Sequence, residues 1–159
     1  ANEDQTLAEI INIDKEHVIS NLLGEIVFNN NKITKLSLNS KFDENMNISL
    51  SIVSKNGGQT TTFYSDLAKP FVRKFKFIKG FDEGKINYSS TKQNKKSNSQ
   101  LNIYDFKLKE LPALTKILTL ASLQGISDTL TGEGVRFNEF EMIFSSEDNL
   151  MKIKEIYSV

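Results

Sequence analysis

The sequence has no cysteine and no tryptophan, and its 159 residues include one histidine and two prolines. Without cysteine there is no disulfide framework, no thiolate nucleophile and no thiolate metal ligand. The single histidine, His17, lies in a strand-like segment without a partner motif, which leaves neither a multi-histidine metal site nor a histidine-dependent triad. We therefore predict that the chain is not an enzyme and has no catalytic residue, no metal site and no cofactor.

An excess of charge of one sign and a long apolar run are missing as well. The 20 basic and 20 acidic residues give a net charge of zero, which offers no electrostatic basis for binding nucleic acid or an anionic membrane surface. No run of eighteen apolar residues is present, so we expect no segment to span a bilayer. The first residues, ANEDQTL, include neither a methionine nor a signal peptide, which we interpret as a piece of a longer or processed protein.

Apolar–polar alternation of the kind found in antiparallel strands dominates the first part of the sequence. It predicts a β-meander over residues 1–65, with strands at 6–13, 17–28, 32–40, 46–54 and 59–65. Turn residues rich in Asn, Asp and Gly separate these strands, at 29–31, 43–45 and 56–58. Because the connections are short, successive strands are expected to pair antiparallel.

Two further units follow, 66–109 and 110–159, and each is predicted to consist of a helix and a hairpin. In the first unit Asp66 is the expected helix cap, and the apolar stripe of the helix consists of Leu67, Phe71, Phe75 and Ile78. The basic residues Lys69, Arg73, Lys74 and Lys76 are interpreted as a solvated face, with a patch for lipid head groups as the alternative. In the second unit a helix over 111–130 precedes strands at 135–144 and 150–159.

The second helix is apolar on more than one face. Leu114, Ile117 and Leu118 follow helical spacing, Leu123 widens the stripe, and few charged residues occur between 111 and 130. Such a helix needs cover from a strongly curved sheet, from a neighbouring segment or from bound acyl chains, and ordinary core burial remains open as well. We predict an α+β fold: a strongly curved antiparallel β-sheet that partly wraps two apolar, amphipathic helices in a single module, residues 1–159.

Two segments resemble a known family. FYSDLAKPFVRKFKFIKGFDEGKINYSS (63–90) and, more closely, LNIYDFKLKELPALTKILTLASLQGISDTLTGEGVRFNEFEMIF (101–144) are similar to a recurring segment of the AsmA-like superfamily, in particular its YhdP-like branch. The second segment contains the pattern P-x-L-x-x-x-L-x-L-A-S-L-Q-G followed by L-x-G-x-G-V-x-F. Lys69 and Phe71 depart from the residues common in the first helix of that family.

The resemblance implies a function and a location. It implies a module on the periplasmic side of the inner membrane of a Gram-negative bacterium, within a protein that takes part in phospholipid transport between the inner and outer membranes. The expected partners are phospholipid acyl chains and neighbouring modules of the same chain, with no nucleic acid. The alternatives are a structural or assembly module that docks envelope proteins and a soluble carrier with a closed pocket. The expected lipid-facing residues are Phe71, Phe75, Leu114, Ile117, Leu118 and Leu123.

Overall fold

Nine strands and one short helix make up the described part of the chain. The computed structural model describes residues 4–12 as backbone, and residues 16–30, 32–42, 45–73, 80–109, 134–148 and 150–159. The elements, in chain order, are β1 (Asp4–Asn12), β2 (Val18–Asn29), β3 (Lys32–Phe42), β4 (Met46–Lys55), β5 (Gly58–Ser65), α1 (Lys69–Val72), β6 (Phe81–Gln93), β7 (Lys96–Leu108), β8 (Val135–Glu147) and β9 (Leu150–Ser158).

All nine strands belong to one sheet, in which each strand pairs antiparallel with its neighbours in sequence. The strands predicted from alternation lie where the structure has them. The sheet has two different ends, because alternate connections lie on opposite sides of it. One end, the hairpin end, has tight turns with left-handed residues: Asn30, Asn56, Gly57, Asn94 and Asp148. The other, the helix end, has α1 and the longer connections 66–80 and 109–134.

The predicted α+β fold with two helices is wrong, because the described residues are almost entirely antiparallel strand. The predicted first helix is reduced there to the four residues of α1. Asp66 does not cap it: Ala68 is at the N-cap position and makes no side-chain cap bond. The Asp66 carboxylate instead accepts hydrogen bonds from Asn47 on β4, so this helix start has no side-chain partner for its N–H groups. The predicted second helix, 111–130, lies outside the described residues.

The closed hydrophobic core lies at the helix end. It consists of Ala68, Val72, Phe81, Ile86, Ile103, Phe106, Leu108 and Phe137. The Phe106 ring stacks on that of Phe81, with centroids 5.2 Å apart, and on that of Phe137, at 5.1 Å. Three adjacent strands therefore contribute one column of phenylalanine rings to the core.

This column depends on a change of face within the strands. Ile103 and Phe106 are three residues apart on β7 and both lie in the core, although only alternate residues of a regular strand share a face. Asp105 lies between them with a φ of 54°, and Glu83 and Gly84 interrupt β6 in the same way at 61° and 82°. The pairing between β6 and β7 stays in register, because the irregular residues of the two strands lie at the same level of the sheet.

Within the described residues, no helix has the length and apolarity needed to cross a membrane.

Candidate functional site

A line of large apolar and aromatic side chains crosses the sheet from β3 to β9. One residue of each strand lies directly opposite the next, in the order Leu38, Leu50, Phe63, Tyr88, Leu101, Met142 and Ile156. All seven side chains are half-buried, unlike the closed core at the helix end. We call these seven residues the transverse row. Because antiparallel neighbours lie about 4.8 Å apart, six intervals give the row a length of roughly 29 Å.

The opposite face of the sheet is polar at the same level. The residues that follow or precede the transverse row by one position are Asn39, Ser49, Tyr64, Asn87, Asn102, Glu141 and Tyr157, and they are also in register. Glu141 accepts hydrogen bonds there from Asn102 at 2.9 Å and from Gln100 at 2.7 Å. The sheet therefore has one apolar face and one face suited to water, which is the usual arrangement of a one-sided antiparallel sheet.

Aromatic contacts bound the transverse row on the helix side. The Phe71 ring makes an edge contact with Phe63 of the row, with centroids 4.8 Å apart, and a second one with Phe42 at 6.0 Å. Phe42 is 1 % exposed, so the apolar surface becomes fully covered from this point towards the helix end. The row is thus continuous with the core and differs from it in exposure.

Hydroxyl groups bound the row on the hairpin side, where three central strands change from apolar to polar. The Tyr88 hydroxyl lies 3.3 Å from Oγ of Ser99, and Ser99 donates to Oγ of Ser90 at 3.0 Å. Thr61 lies opposite Ser90 on the next strand. An apolar strip with hydroxyls along one border can contact hydrocarbon along its centre and polar atoms at its margin.

Of the predicted lipid-facing residues, Phe71 is the one that the structure describes. Its side chain is half-buried and lies between the core and the transverse row, where it contacts Phe63. The other predicted residues, Phe75, Leu114, Ile117, Leu118 and Leu123, lie outside the described residues. None of the row residues is among the six residues that the sequence predicts to face lipid. Apolar–polar alternation indicates which residues of one strand share a face. The alignment of one residue from each of seven strands also requires the register of every strand pair.

Paired charges flank α1 and the start of β6. The Asp82 carboxylate contacts Nζ of Lys109 at 2.5 Å and Nζ of Lys69 at 2.7 Å, and these two ammonium groups hold its pKa well below the usual range. Glu83 is paired in the same way with Lys107 at 3.0 Å and Arg136 at 2.7 Å, and its pKa is lowered as well. Since each of these cations already has a carboxylate partner, the cluster favours cross-strand pairing over anion binding.

The four basic residues that we interpreted as a solvated face divide into two pairs. Lys69 and Arg73 both pair with acids: Lys69 contacts Asp82, and Arg73 contacts Glu16 at 2.9 Å. Lys74 and Lys76 lie outside the described residues. The described pair is therefore neutralised locally and provides no open cationic patch.

No group of three histidine or carboxylate side chains is arranged to hold a metal ion in the part of the chain that the structure describes. His17 is half-buried, and its ring makes an edge contact with Phe42 at a centroid distance of 6.3 Å. This contact packs His17 against a core phenylalanine.

Comparison with models of known protein families, with curated proteins and with solved structures gave no match to this chain. The function of the chain is therefore inferred from the geometry of the sheet.

Proposed function

We propose that this chain is a lipid-binding module that holds phospholipid acyl chains against the transverse row. We further propose that it belongs to an AsmA-like protein on the periplasmic side of the inner membrane, where it takes part in phospholipid transport between the inner and outer membranes. The observation that supports the proposal best is the row itself, seven half-buried apolar or aromatic side chains in register across seven strands.

The dimensions of the row suit an acyl chain. A bilayer has a hydrocarbon core of about 30 Å that two leaflets share, so each leaflet's chains fill roughly 15 Å. The row, at roughly 29 Å, offers about twice that length. A phospholipid could therefore shift along the row by a full chain length while its hydrocarbon stayed in contact with apolar side chains.

The energetics favour a continuous apolar path for lipid movement. Exposing a hydrocarbon chain to water costs about 0.8 kcal/mol for each CH₂ group. A surface without polar gaps avoids most of this cost at every intermediate position, and the row has no charged residue from Leu38 to Ile156. Because the opposite face is polar, such a module can do this while its other face remains hydrated.

Native mass spectrometry of the 159-residue chain expressed in bacterial cells tests the proposal. We expect phospholipid to co-purify, and we expect Met142→Gln to reduce the lipid-bound fraction roughly fourfold or more, because a polar amide replaces part of the hydrocarbon contact. Ile143→Gln is the matched control, since Ile143 is the next residue of β8, is also half-buried and faces the polar side. We expect that variant to retain lipid.

Two results would contradict the proposal. One is a lipid-free mass for the unmodified chain even after incubation with vesicles of phosphatidylethanolamine and phosphatidylglycerol. The other is an equal loss of lipid in the two variants, with thermal unfolding showing both to be folded. A lipid-free chain that instead captures an envelope protein would favour the structural or assembly module.

A further inference from the structure

The final strand, β9, has an unpaired edge with many exposed apolar side chains. In the described sheet β9 pairs with β8 alone, so alternate N–H and C=O groups along its outer edge have no strand partner. Its large exposed apolar residues are Leu150, Met151, Ile153 and Tyr157, and Val159 follows directly. Edges of this kind accept a further strand by main-chain hydrogen bonding.

A bulge in β9 places two opposite charges on the same face. Ile143 of β8 lies opposite Glu155 and the next residue, Phe144, lies opposite Ile153, which leaves Lys154 as the extra residue. Nζ of Lys154 donates to Oδ1 of Asn98 at 2.9 Å on the polar face. Glu155 lies on that face too, since its partner Ile143 does. Lys154 and Glu155 are therefore consecutive residues on one side of the strand.

We propose that β9 pairs antiparallel with β9 of a second copy of this chain, about a two-fold axis perpendicular to the sheet. In the proposed register Lys154 lies opposite Glu155 of the second copy, and by symmetry Glu155 lies opposite Lys154 of the second copy. Directly opposite side chains of opposite charge stabilise such a pair. The remaining pairs are Ile153 with Ile156, Lys152 with Tyr157, Met151 with Ser158 and Leu150 with Val159, each across the interface and each formed twice.

The bulge selects this register. Antiparallel partners must lie on the same face, and in a regular strand that requires their residue numbers to have an even sum. The extra residue Lys154 shifts the alternation by one, so residues before the bulge match residues after it only when the sum is odd. Among odd sums, a centre between Lys154 and Glu155 pairs every residue from 150 to 159 with one on its own face. A shift to either side places an apolar side chain opposite a polar-face residue at the centre.

Such a pairing is closed, because the same edge is used on both copies. It covers the β9 edges and leaves the two β1 edges at the ends of a sheet of eighteen strands, twice the nine of one chain. Ile156 is the last residue of the transverse row, and in the dimer it lies opposite Ile153 of the second copy, on the apolar face. The apolar surface thus continues across the interface. The pairing depends on the edge of β9 alone and holds whether or not lipid binds.

Charge reversal tests the pairing, with the mass in solution as the readout. Sedimentation velocity is expected to show twice the 18.0 kDa of one chain. Lys154→Glu and Glu155→Lys each place like charges opposite one another twice, and we expect each to weaken dimerisation about tenfold or more. The double variant restores opposite charges and should dimerise as the unmodified chain does. Lys41→Glu is the control. Lys41 is an exposed lysine on the interior strand β3, and its replacement changes the net charge as Lys154→Glu does.

Cysteine cross-linking tests the register separately, because the chain has no cysteine of its own. A mixture of Ile153→Cys and Ile156→Cys chains should form a disulfide-linked dimer under mild oxidation, since directly opposite residues bring their Cβ atoms within about 5 Å. Each variant alone should cross-link poorly. Ile153 and Ile156 lie opposite Phe144 and Met142, two residues apart on β8, so the identical residues of the two copies are offset by roughly 7 Å along the strand in addition to the spacing between the strands. A monomer at high micromolar concentration, no rescue in the double charge variant, or equal cross-linking of each variant alone would overturn the proposal.

Discussion

The phenyl rings of Phe106 and Phe137 stack across β7 and β8 with centroids 5.1 Å apart and ring planes 10° from parallel. The two residues are direct cross-strand partners, and each is 1 % exposed. Phe81 adds a third ring on the other side of Phe106, at 5.2 Å. The helix end of the sheet is therefore held by aromatic contacts that join three strands, β6 to β8.

Truncating the central ring should cost the most stability. We expect Phe106→Ala to lower the free energy of unfolding by about 3–5 kcal/mol, because it removes contacts with two rings and leaves a cavity in a closed core. Urea denaturation monitored by circular dichroism measures this. Phe28→Ala is the control, since Phe28 is 63 % exposed and its truncation should change stability by no more than about 0.5 kcal/mol. Similar losses in the two variants would contradict the described core.

The strands could be predicted from the sequence because their signals are local. Alternation marks the residues that share a face, and a turn such as Asn56-Gly57, with φ of 51° and 76°, sets the pairing of the strands on either side. That pairing places Leu50 opposite Phe63. The transverse row depends on six such pairings at once. The pattern of each strand therefore indicates which residues could belong to the row but not that they lie opposite one another.

The wrong assignment of Asp66 concerns a partner that is distant in sequence. Asp66 has the residue type and position of a helix cap, but its partner Asn47 lies on another strand, 19 residues earlier. A tertiary contact decided this case, and the local pattern contains no record of it. The change of face at Asp105 on β7 depends on a left-handed backbone, which aspartate tolerates but which a strand pattern does not indicate.

Gly84 should be sensitive to substitution because two constraints meet there. Its φ is 82°, and a Cβ atom at this position would lie 2.9 Å from Cβ of Phe106. Gly57 offers the comparison, with a φ of 76° and open space, free of other atoms within 4 Å, where a Cβ would lie. We expect Gly57→Ala to cost about 1 kcal/mol from backbone strain alone. Gly84→Ala should cost roughly a further 1–3 kcal/mol from overpacking, as measured by urea denaturation. Equal costs would show that the contact with Phe106 is unimportant.

Asp82 should make stability depend on pH. Its pKa is lowered, first by the hydrogen bond from Lys109 and then by that from Lys69. A carboxyl group with a lowered pKa in the folded state stabilises the fold above its unfolded pKa of about 3.9, and this contribution is lost as the pH falls below that value. Asp82→Asn should therefore cost about 1 kcal/mol at neutral pH.

The difference between the Asp82→Asn variant and the unmodified chain should shrink as the pH is lowered below about 4, because the Asp82 carboxyl group becomes protonated first in the unfolded chain and, with further acid, in the folded chain as well. Glu147→Gln is the matched control: Glu147 lies 3.8 Å from Lys96, and both side chains are about 60 % exposed. That variant should have a stability close to that of the unmodified chain at every pH. A pH-independent cost for Asp82→Asn would point to packing and not to charge.

The carboxylate of Asp66 should act as a shared acceptor that joins β4 to the end of β5. Oδ2 accepts from the backbone N–H of Asn47 at 2.8 Å and from its side-chain amide at 3.1 Å, and Oδ1 accepts from the Tyr64 hydroxyl at 2.5 Å. The pKa of Asp66 is lowered and that of Tyr64 is raised, in both cases chiefly by the hydrogen bond between them. We expect Asp66→Ala to lower the free energy of unfolding by about 2 kcal/mol and Tyr64→Phe by about 1 kcal/mol.

Because both variants remove the same hydrogen bond, their effects should not add. In the double variant Tyr64→Phe should cost little beyond Asp66→Ala, which gives a coupling energy of about 1 kcal/mol in a double-mutant cycle measured by urea denaturation. Tyr157→Phe provides the comparison, since Tyr157 is an exposed tyrosine on the same polar face, on β9 and far from Asp66. Its effect should add to that of Asp66→Ala. If Tyr64→Phe were also additive, the Asp66 carboxylate would be bound by Asn47 alone, and the contact with the hydroxyl would contribute nothing to the connection between β5 and α1.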